Sequence, residues 1–414
     1  MRVQLKAFAF AALVGVAVPR LASAQAVTVD TTHALYHESP TRTNMTVYVP
    51  SVDAQANPAE WLSVRAGWTA DVVSGATVST KAGPAFAATN PGADVVSTAS
   101  VRDFRNVGRG GLTLRRGDVA VTGGYTYGTE NDYRTHSFNV GVRTDAYDHN
   151  TQFELSYARN FDSVCDRVQA AGDLPTRYRA LESSTGCFTS DPLRTTRSLD
   201  IDGFQASWSQ SWTPVLATQL TSTTQILNGF QSNPYRNVIL GEGVRSQEYM
   251  PQNRARQALT LRLNWYVRPL RAALRFAVRG YVDTWDVKSG TAELEFEKYL
   301  TEALRVQARG RVYRQTGALF WSDDYAGGDP PLGPKGQYWT GDRELSPFWS
   351  GLVGLRTVYS VAPPKGSVLG VFSGLRFSAA ADVLQFDYLE YTLGGVPIAN
   401  ARAYILSLSA GASF

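Results

Sequence analysis

The residues best suited to chemistry lie between Trp68 and Lys81, in the run Trp-Thr-Ala-Asp-Val-Val-Ser-Gly-Ala-Thr-Val-Ser-Thr-Lys. Within it, Asp71 and Ser74 precede the pair Gly75-Ala76, and the hydroxyl of Thr77 comes directly after. Such a small pair lets a bulky modifying enzyme approach the backbone closely. The Thr77 hydroxyl is then an acceptor nucleophile that needs an external base and a metal to activate it. The alternative is a Gly-containing turn after a strand. Composition keeps that alternative open, because Asp286-Val287-Lys288-Ser289-Gly290-Thr291-Ala292 nearly repeats the pattern with its last two positions exchanged.

Other reactive side chains are sparse. The two cysteines, Cys165 and Cys187, are expected to form a disulfide that closes a loop in an exported chain. The histidines are His33, His37, His136 and His149, and none has the Cys-His spacing of a structural metal site. His136 falls on an expected outward face and His149 in a turn, and neither neighbours a serine motif of the kind hydrolysis requires. No catalytic residue and no metal ligand is therefore assigned. The stretch Phe320 to Asp329, continued by Tyr338 to Glu344, is acidic and aromatic. It reads either as a calcium or ligand loop or as a packed loop that plugs a mouth.

The elements that must position these residues begin after residue 24. Arg2 and Lys6 precede an apolar run from Ala7 to Val18, and Ala22-Ser23-Ala24 offers a small-residue cleavage site. Residues 1–24 read as a secretory signal peptide and residues 25–414 as the mature domain. With Arg2, Lys6 and Arg20 removed, the formal charge falls from +4 to +1, so the overall basicity is no sign of nucleic-acid binding. No later apolar run is long enough for a helical membrane span.

Period-two alternation dominates the mature chain. Leu259, Leu261, Leu263, Trp265 and Val267 alternate with Thr260, Arg262, Asn264, Tyr266 and Arg268. Comparable runs cover 271–287, 290–301 and 303–316, with connections that alternate between very short, such as Thr213-Pro214, and often very long. The chain ends on an alternating face, Tyr404, Leu406, Leu408, Ala410, Ala412 and Phe414, whose aromatic terminal residue resembles the assembly signal of bacterial outer-membrane barrels. The expected fold is all-β, a transmembrane antiparallel barrel of about 16 strands (14–18). The strands are placed near 44–50, 60–73, 95–103, 107–116, 118–128, 133–147, 150–161, 198–212, 216–229, 255–269, 271–287, 290–301, 303–316, 347–361, 367–382 and 400–414. An even count puts both termini in the periplasm and the long loops 162–197, 230–254, 317–346 and 383–399 outside. It also makes 74–94 a periplasmic connection.

On the face opposite the apolar one, Arg275 and Arg279 are expected to meet Glu293, Glu295 and Glu297, which in turn meet Arg305, Arg309 and Arg311. These rows read either as a selective pore or as a salt-bridged wall whose paired charges cancel. The second reading is preferred, because cancelled charge leaves little field to select an ion.

Two resemblances add to this reading. Asp71 to Thr77 resembles the acceptor motif of periplasmic proteins that receive a covalent flavin: Asp, two variable residues, Ser or Thr, Gly, Ala, then Ser or Thr. The likeness implies FMN joined through a phosphoester to Thr77, with Asp71 and Ser74 read by a flavin transferase and Gly75 and Ala76 giving it access. The mature chain also looks like the bacterial domain-of-unknown-function 3570 family over roughly residues 30 to 414. That likeness is carried by 71–77, 95–103, 128–133, 227–236 and 317–325. It implies an outer-membrane barrel without an assigned activity, encoded beside flavin transferases and thioredoxin-like or small lipoprotein partners. Together the two imply a barrel that carries FMN on its periplasmic side and takes part in extracytoplasmic electron transfer. Its partners would be outer-membrane lipid, the barrel-assembly machinery, a periplasmic flavin transferase and a redox partner. The other expectation is a porin or export channel without cofactor.

Overall fold

The structure is a computed structural model that describes residues 27–39, 45–74, 95–97, 102–168, 188, 193–233, 236–240, 244–323, 325, 337–362, 366–393, 396–397 and 401–414. Sixteen antiparallel strands close into one barrel. They are β1 (Val27–Ser39), β2 (Met45–Ala59), β3 (Leu62–Ser74), β4 (Arg102–Arg116), β5 (Val119–Thr129), β6 (Tyr133–Ala146), β7 (Thr151–Arg167) and β8 (Arg194–Thr213). The second half is β9 (Leu216–Gly229), β10 (Asn253–Val267), β11 (Ala272–Asp283), β12 (Lys288–Tyr299), β13 (Leu304–Gln315), β14 (Phe348–Val361), β15 (Gly374–Tyr388) and β16 (Ala401–Ser413).

Alternation becomes two surfaces. Leu261, Val278 and Ala292 stand side by side across β10, β11 and β12, and Arg275 and Glu295 stand side by side one step away. On the outer surface Leu259 is 53% exposed, Leu294 49% and Leu355 61%. An apolar belt this open to solvent would be a severe liability on a water-soluble sheet. In hydrocarbon it is the favoured surface, and closure supplies the backbone partners that lipid cannot. The chain is an outer-membrane β-barrel.

The barrel closes by pairing β1 with β16, from Thr28 opposite Ser413 to Ser39 opposite Arg402. The Phe414 amide then donates to the Val27 carbonyl at 2.9 Å, and its ring packs on Phe372 with centroids 5.2 Å apart. The expected strand number is right, but its allocation is not. Residues 27–39 form β1, although they lie outside every expected strand. The expected strand 95–103 is not a barrel strand of its own: Val95–Ser97 pairs instead with Arg236–Leu240 in a small sheet that Val244–Gln247 completes, and Arg102 and Asp103 already belong to β4. One omission and one excess cancel in the count. They do not cancel in the topology, because every connection between them changes side.

The connection from Ser74 to Arg102 therefore leaves and re-enters at the end of the barrel opposite Val27 and Phe414, the end that also carries 168–193, 230–252 and 316–347. With the termini in the periplasm, that end is extracellular. Residues 75–94 lie outside the described residues, but the strand ends that flank the connection, Ser74 and Arg102, are at this end and not at the periplasmic end as expected. One strand start is also shifted. Residues 367–373 have an apolar look, but Gly366, Leu369 and Gly370 take positive φ, so this is a periplasmic turn and β15 starts at Gly374. An epitope tag inserted after Gly92 is expected to bind antibody on intact cells. Labelling only after the outer membrane is permeabilised would reverse the topology.

Candidate functional site

The charged residues of β10 to β13 meet on the inner wall. Arg275 lies 3.3 Å from Glu295 and 3.6 Å from Glu297, and Arg305 lies 3.3 Å from Glu297. Those contacts form the expected salt-bridged wall. The wall is not fully neutralised, however. Arg262 stands opposite Gln219 and Ala277, and Arg279 stands opposite Thr260 and Thr291. Arg262, Arg279 and Arg311 make no ion pair among the described residues. With Arg275, Glu293 and Glu295 they line a lumenal cavity of about 540 Å³.

Arg309 departs from its expected partner. Its cross-strand neighbour is Glu295, yet its guanidinium turns the other way, over β14, to Asp382 on β15 at 2.7 Å. Gly354 is the residue between them in register. A Cβ at Gly354 would lie 1.8 Å from the Asp382 carboxylate, so only glycine leaves the path clear. The same arrangement occurs twice more. Asp53 on β2 reaches Arg109 on β4 over Gly67, with Arg109 Nε 3.0 Å from Asp53 Oδ1. Asp30 on β1 reaches Arg376 on β15 over Gly411, at 2.7 Å and across the closing seam. A Cβ at Gly67 or Gly411 would come within 2.4 or 2.2 Å of the carboxylate. Each acid–Gly–Arg row ties together two strands that share no ladder, and it lays both long side chains flat on the wall.

The extracellular mouth is packed by loops. Trp321, Phe320, Trp285, Met250, Leu345 and Tyr391 form one buried cluster, and Tyr325 and Trp339 belong to a second around Val238. Tyr325 donates to the carbonyl of Phe320 at 2.7 Å, and Trp339 donates to that of Gln247 at 2.8 Å. Arg343 then crosses to the top of β1, where its two terminal nitrogens donate to Glu38 at 2.7 and 3.1 Å. Burial opposes the Arg343 charge, but the Glu38 hydrogen bonds, added to the pull of Tyr388, Glu38 and Glu344, outweigh it and raise its pKa above the ordinary arginine value. Among the described residues, 316–347 is thus a packed cover, and no cluster of potential metal ligands is present.

The acceptor residues assigned from sequence are only partly visible. Asp71 faces the lumen on β3, opposite Arg105 and 3.8 Å from it, and Arg105 also contacts Glu130 at 3.3 Å. Ser74 ends β3. Gly75, Ala76 and Thr77 lie outside the described residues. Cys165 is fully buried near the extracellular end of β7, and Cys187 lies outside the described residues. His136 faces outward, where Tyr125 approaches its ring at 2.7 Å, and His149 sits in the β6–β7 turn. The acid–Gly–Arg rows left no mark in the sequence, because their members are far apart along the chain.

These rows differ in exposure, which separates their expected energies. Asp382 is nearly buried, whereas Asp53 and Arg109 are both about half exposed. Gly354→Ala is expected to displace a buried carboxylate from its ion pair and to destabilise the barrel by about 3 kcal/mol. Gly67→Ala is expected to cost under about 1 kcal/mol. Urea unfolding in lipid vesicles, followed by heat-modifiable gel migration, measures both. A second expectation concerns the cover: Arg343→Ala removes the guanidinium from buried Glu38, which keeps the Tyr36 hydroxyl as a donor, and should make 316–347 the first site of proteolysis in intact cells.

Solved structures similar to the chain are large barrels. One is described as a bacterial polysaccharide outer membrane secretin, at 8% identity and TM-score 0.48, covering 94% of this chain and 97% of that one. Others are OccD3 (OpdP) of Pseudomonas aeruginosa, at 8% identity, TM-score 0.42 and 95% and 92% coverage, and a BenF-like porin from Pseudomonas fluorescens Pf-5, at 8% identity, TM-score 0.43 and 95% and 100% coverage. None of the curated proteins matches the chain. A family does: residues 4–371 match the one described as "Protein of unknown function (DUF3570)", and the chain belongs to that family.

Proposed function

We propose that the barrel is a porin-like channel that favours small anionic solutes. The observation that carries this reading is the cavity beside β10 to β13, where Arg262, Arg279 and Arg311 face the lumen with no ion pair among the described residues. Paired charges contribute little net potential, but arginines without an ion pair on a lumenal wall attract a passing anion. The wall around them is held rigid by its own salt bridges, so these guanidinium groups keep a fixed place. The packed cover over the mouth then limits the size of what enters. The reading assigns no catalytic residue and no metal, and its partners are membrane lipid and the assembly machinery that engages the Phe414 end.

Planar-bilayer recording under a salt gradient tests it. The wild-type channel is expected to show an anion-selective reversal potential, and the triple variant Arg262→Gln, Arg279→Gln, Arg311→Gln should lower the anion-to-cation permeability ratio at least about threefold. A non-conducting barrel, or an unchanged ratio, would remove the proposal.

Covalent FMN on Thr77 is kept as the second reading, on the match of Asp71, Ser74, Gly75, Ala76 and Thr77 to the acceptor pattern. It now carries a kinetic condition. Because the flanking strand ends lie at the extracellular end, a periplasmic transferase would have to act before the barrel inserts, and a periplasmic redox partner would not face the flavin afterwards. A Cys165–Cys187 disulfide, expected of an exported chain, is a proposal independent of the flavin. Intact-mass measurement after co-expression with a flavin transferase decides the flavin: an FMN increment lost in Thr77→Ala supports it, and the bare-chain mass excludes it.

A further inference from the structure

One cavity among the described residues lies on the outer wall, not in the lumen. It measures about 950 Å³ and extends over β9 to β13. Its floor is a cross-strand row in which Ser222, Leu259, Gly280, Gly290 and Arg314 stand side by side. The two adjacent glycines make the depression: a Cβ at Gly280 or Gly290 would meet nothing within 4 Å. Below this row Leu261, Val278, Ala292 and Val312 continue the apolar wall. Above it stand Gln257, Val282 and Lys288.

Charge fixes the depth of this dent in the membrane. Along β12 the outward residues are Lys288, Gly290, Ala292, Leu294, Phe296 and Lys298. At a rise of about 3.4 Å per residue and a tilt of about 45°, the two lysines are about 24 Å apart along the membrane normal, which is the height of an outer-membrane apolar belt. On β13 the outward face is apolar from Leu304 to Val312 and then presents Arg314. Lys288 and Arg314 thus mark the extracellular membrane boundary, with Trp349, outward and 40% exposed, beside Arg314. Lys288 lies 2.8 Å from Asp286, a pair open to solvent on both sides. Arg314 has no ion pair among the described residues. A lipid-facing guanidinium at this depth wants an anion, and the anions available at this depth are lipid phosphates.

We propose that this dent is a binding site for an outer-leaflet lipid whose phosphate gives its headgroup a net negative charge. One acyl chain lies along the Gly280–Gly290 depression and the phosphate sits against Arg314 and Lys288. This site is independent of the lumen and of the channel reading. The alternative occupant of a small-residue face is a second copy of the chain.

Native mass spectrometry of the full mature barrel, released from detergent with equimolar dioleoylphosphatidylglycerol and dioleoylphosphatidylcholine, distinguishes them. Wild type is expected to carry at least about threefold more phosphatidylglycerol adduct. The double variant Arg314→Gln, Lys288→Gln should bring the two lipids to parity, and Gly290→Leu should reduce adducts of both. A phosphatidylglycerol preference that survives the double variant overturns the proposal. So does a detergent-stable dimer that Gly290→Leu dissociates, which would make the dent a self-interface. The double variant alters only outward side chains, so it remains decisive if Gly290→Leu fails to show folded, heat-modifiable migration.

Discussion

A sheet in hydrocarbon has no water to satisfy its edges, so this chain must close or fail. Closure rests on β1 meeting β16 from Thr28 to Ser39, and on the last amide, that of Phe414, reaching Val27. The ladder is reinforced from inside. Asp30 of β1 crosses the seam over Gly411 and binds Arg376 of β15, so the closing strand is tied to its second neighbour as well as its first. The two sister rows, Asp53–Gly67–Arg109 and Arg309–Gly354–Asp382, act in the same way elsewhere on the wall.

Those rows also shape the lumen. Long charged side chains that pointed inward would fill it. A glycine on the intervening strand lets an aspartate and an arginine lie flat on the wall and neutralise one another. Where no such glycine or facing carboxylate exists, as at Arg262 and Arg279, charge is left over. The difference between a neutral wall and a cationic passage thus comes down to what stands opposite a few arginines. Outside, the same economy of side chains has a different effect: Gly280 opposite Gly290 hollows the apolar belt beside Arg314 and just below Lys288.

Much of the fold was legible because the membrane imposes a period of two. Leu259 to Arg268 already separates outer from inner face, and the Arg275–Glu295 contact comes from simple register, with Glu297 reaching Arg275 and Arg305 on the diagonals. The ends were less legible. Val27–Ser39 mixes Thr, His and Asp with its apolar residues, so its alternation is weak, and only its pairing on both sides shows it to be a strand. Val95–Ser97 has a strand's composition and does form one, but in a loop sheet. These two residue runs moved the end of β3, at Ser74, from one side of the membrane to the other without altering the strand count.

Local pattern along the chain was thus enough for the fold class and the two faces of most strands, since each of these depends on neighbours one or two positions away. The folded barrel alone settles which end the strand before Gly75 runs to, which arginines are neutralised, and where the outer wall is hollow. Each of those depends on a register between strands. Asp30 and Arg376, or Gly280 and Gly290, become neighbours only when the barrel has closed and every strand has taken its place in the ladder.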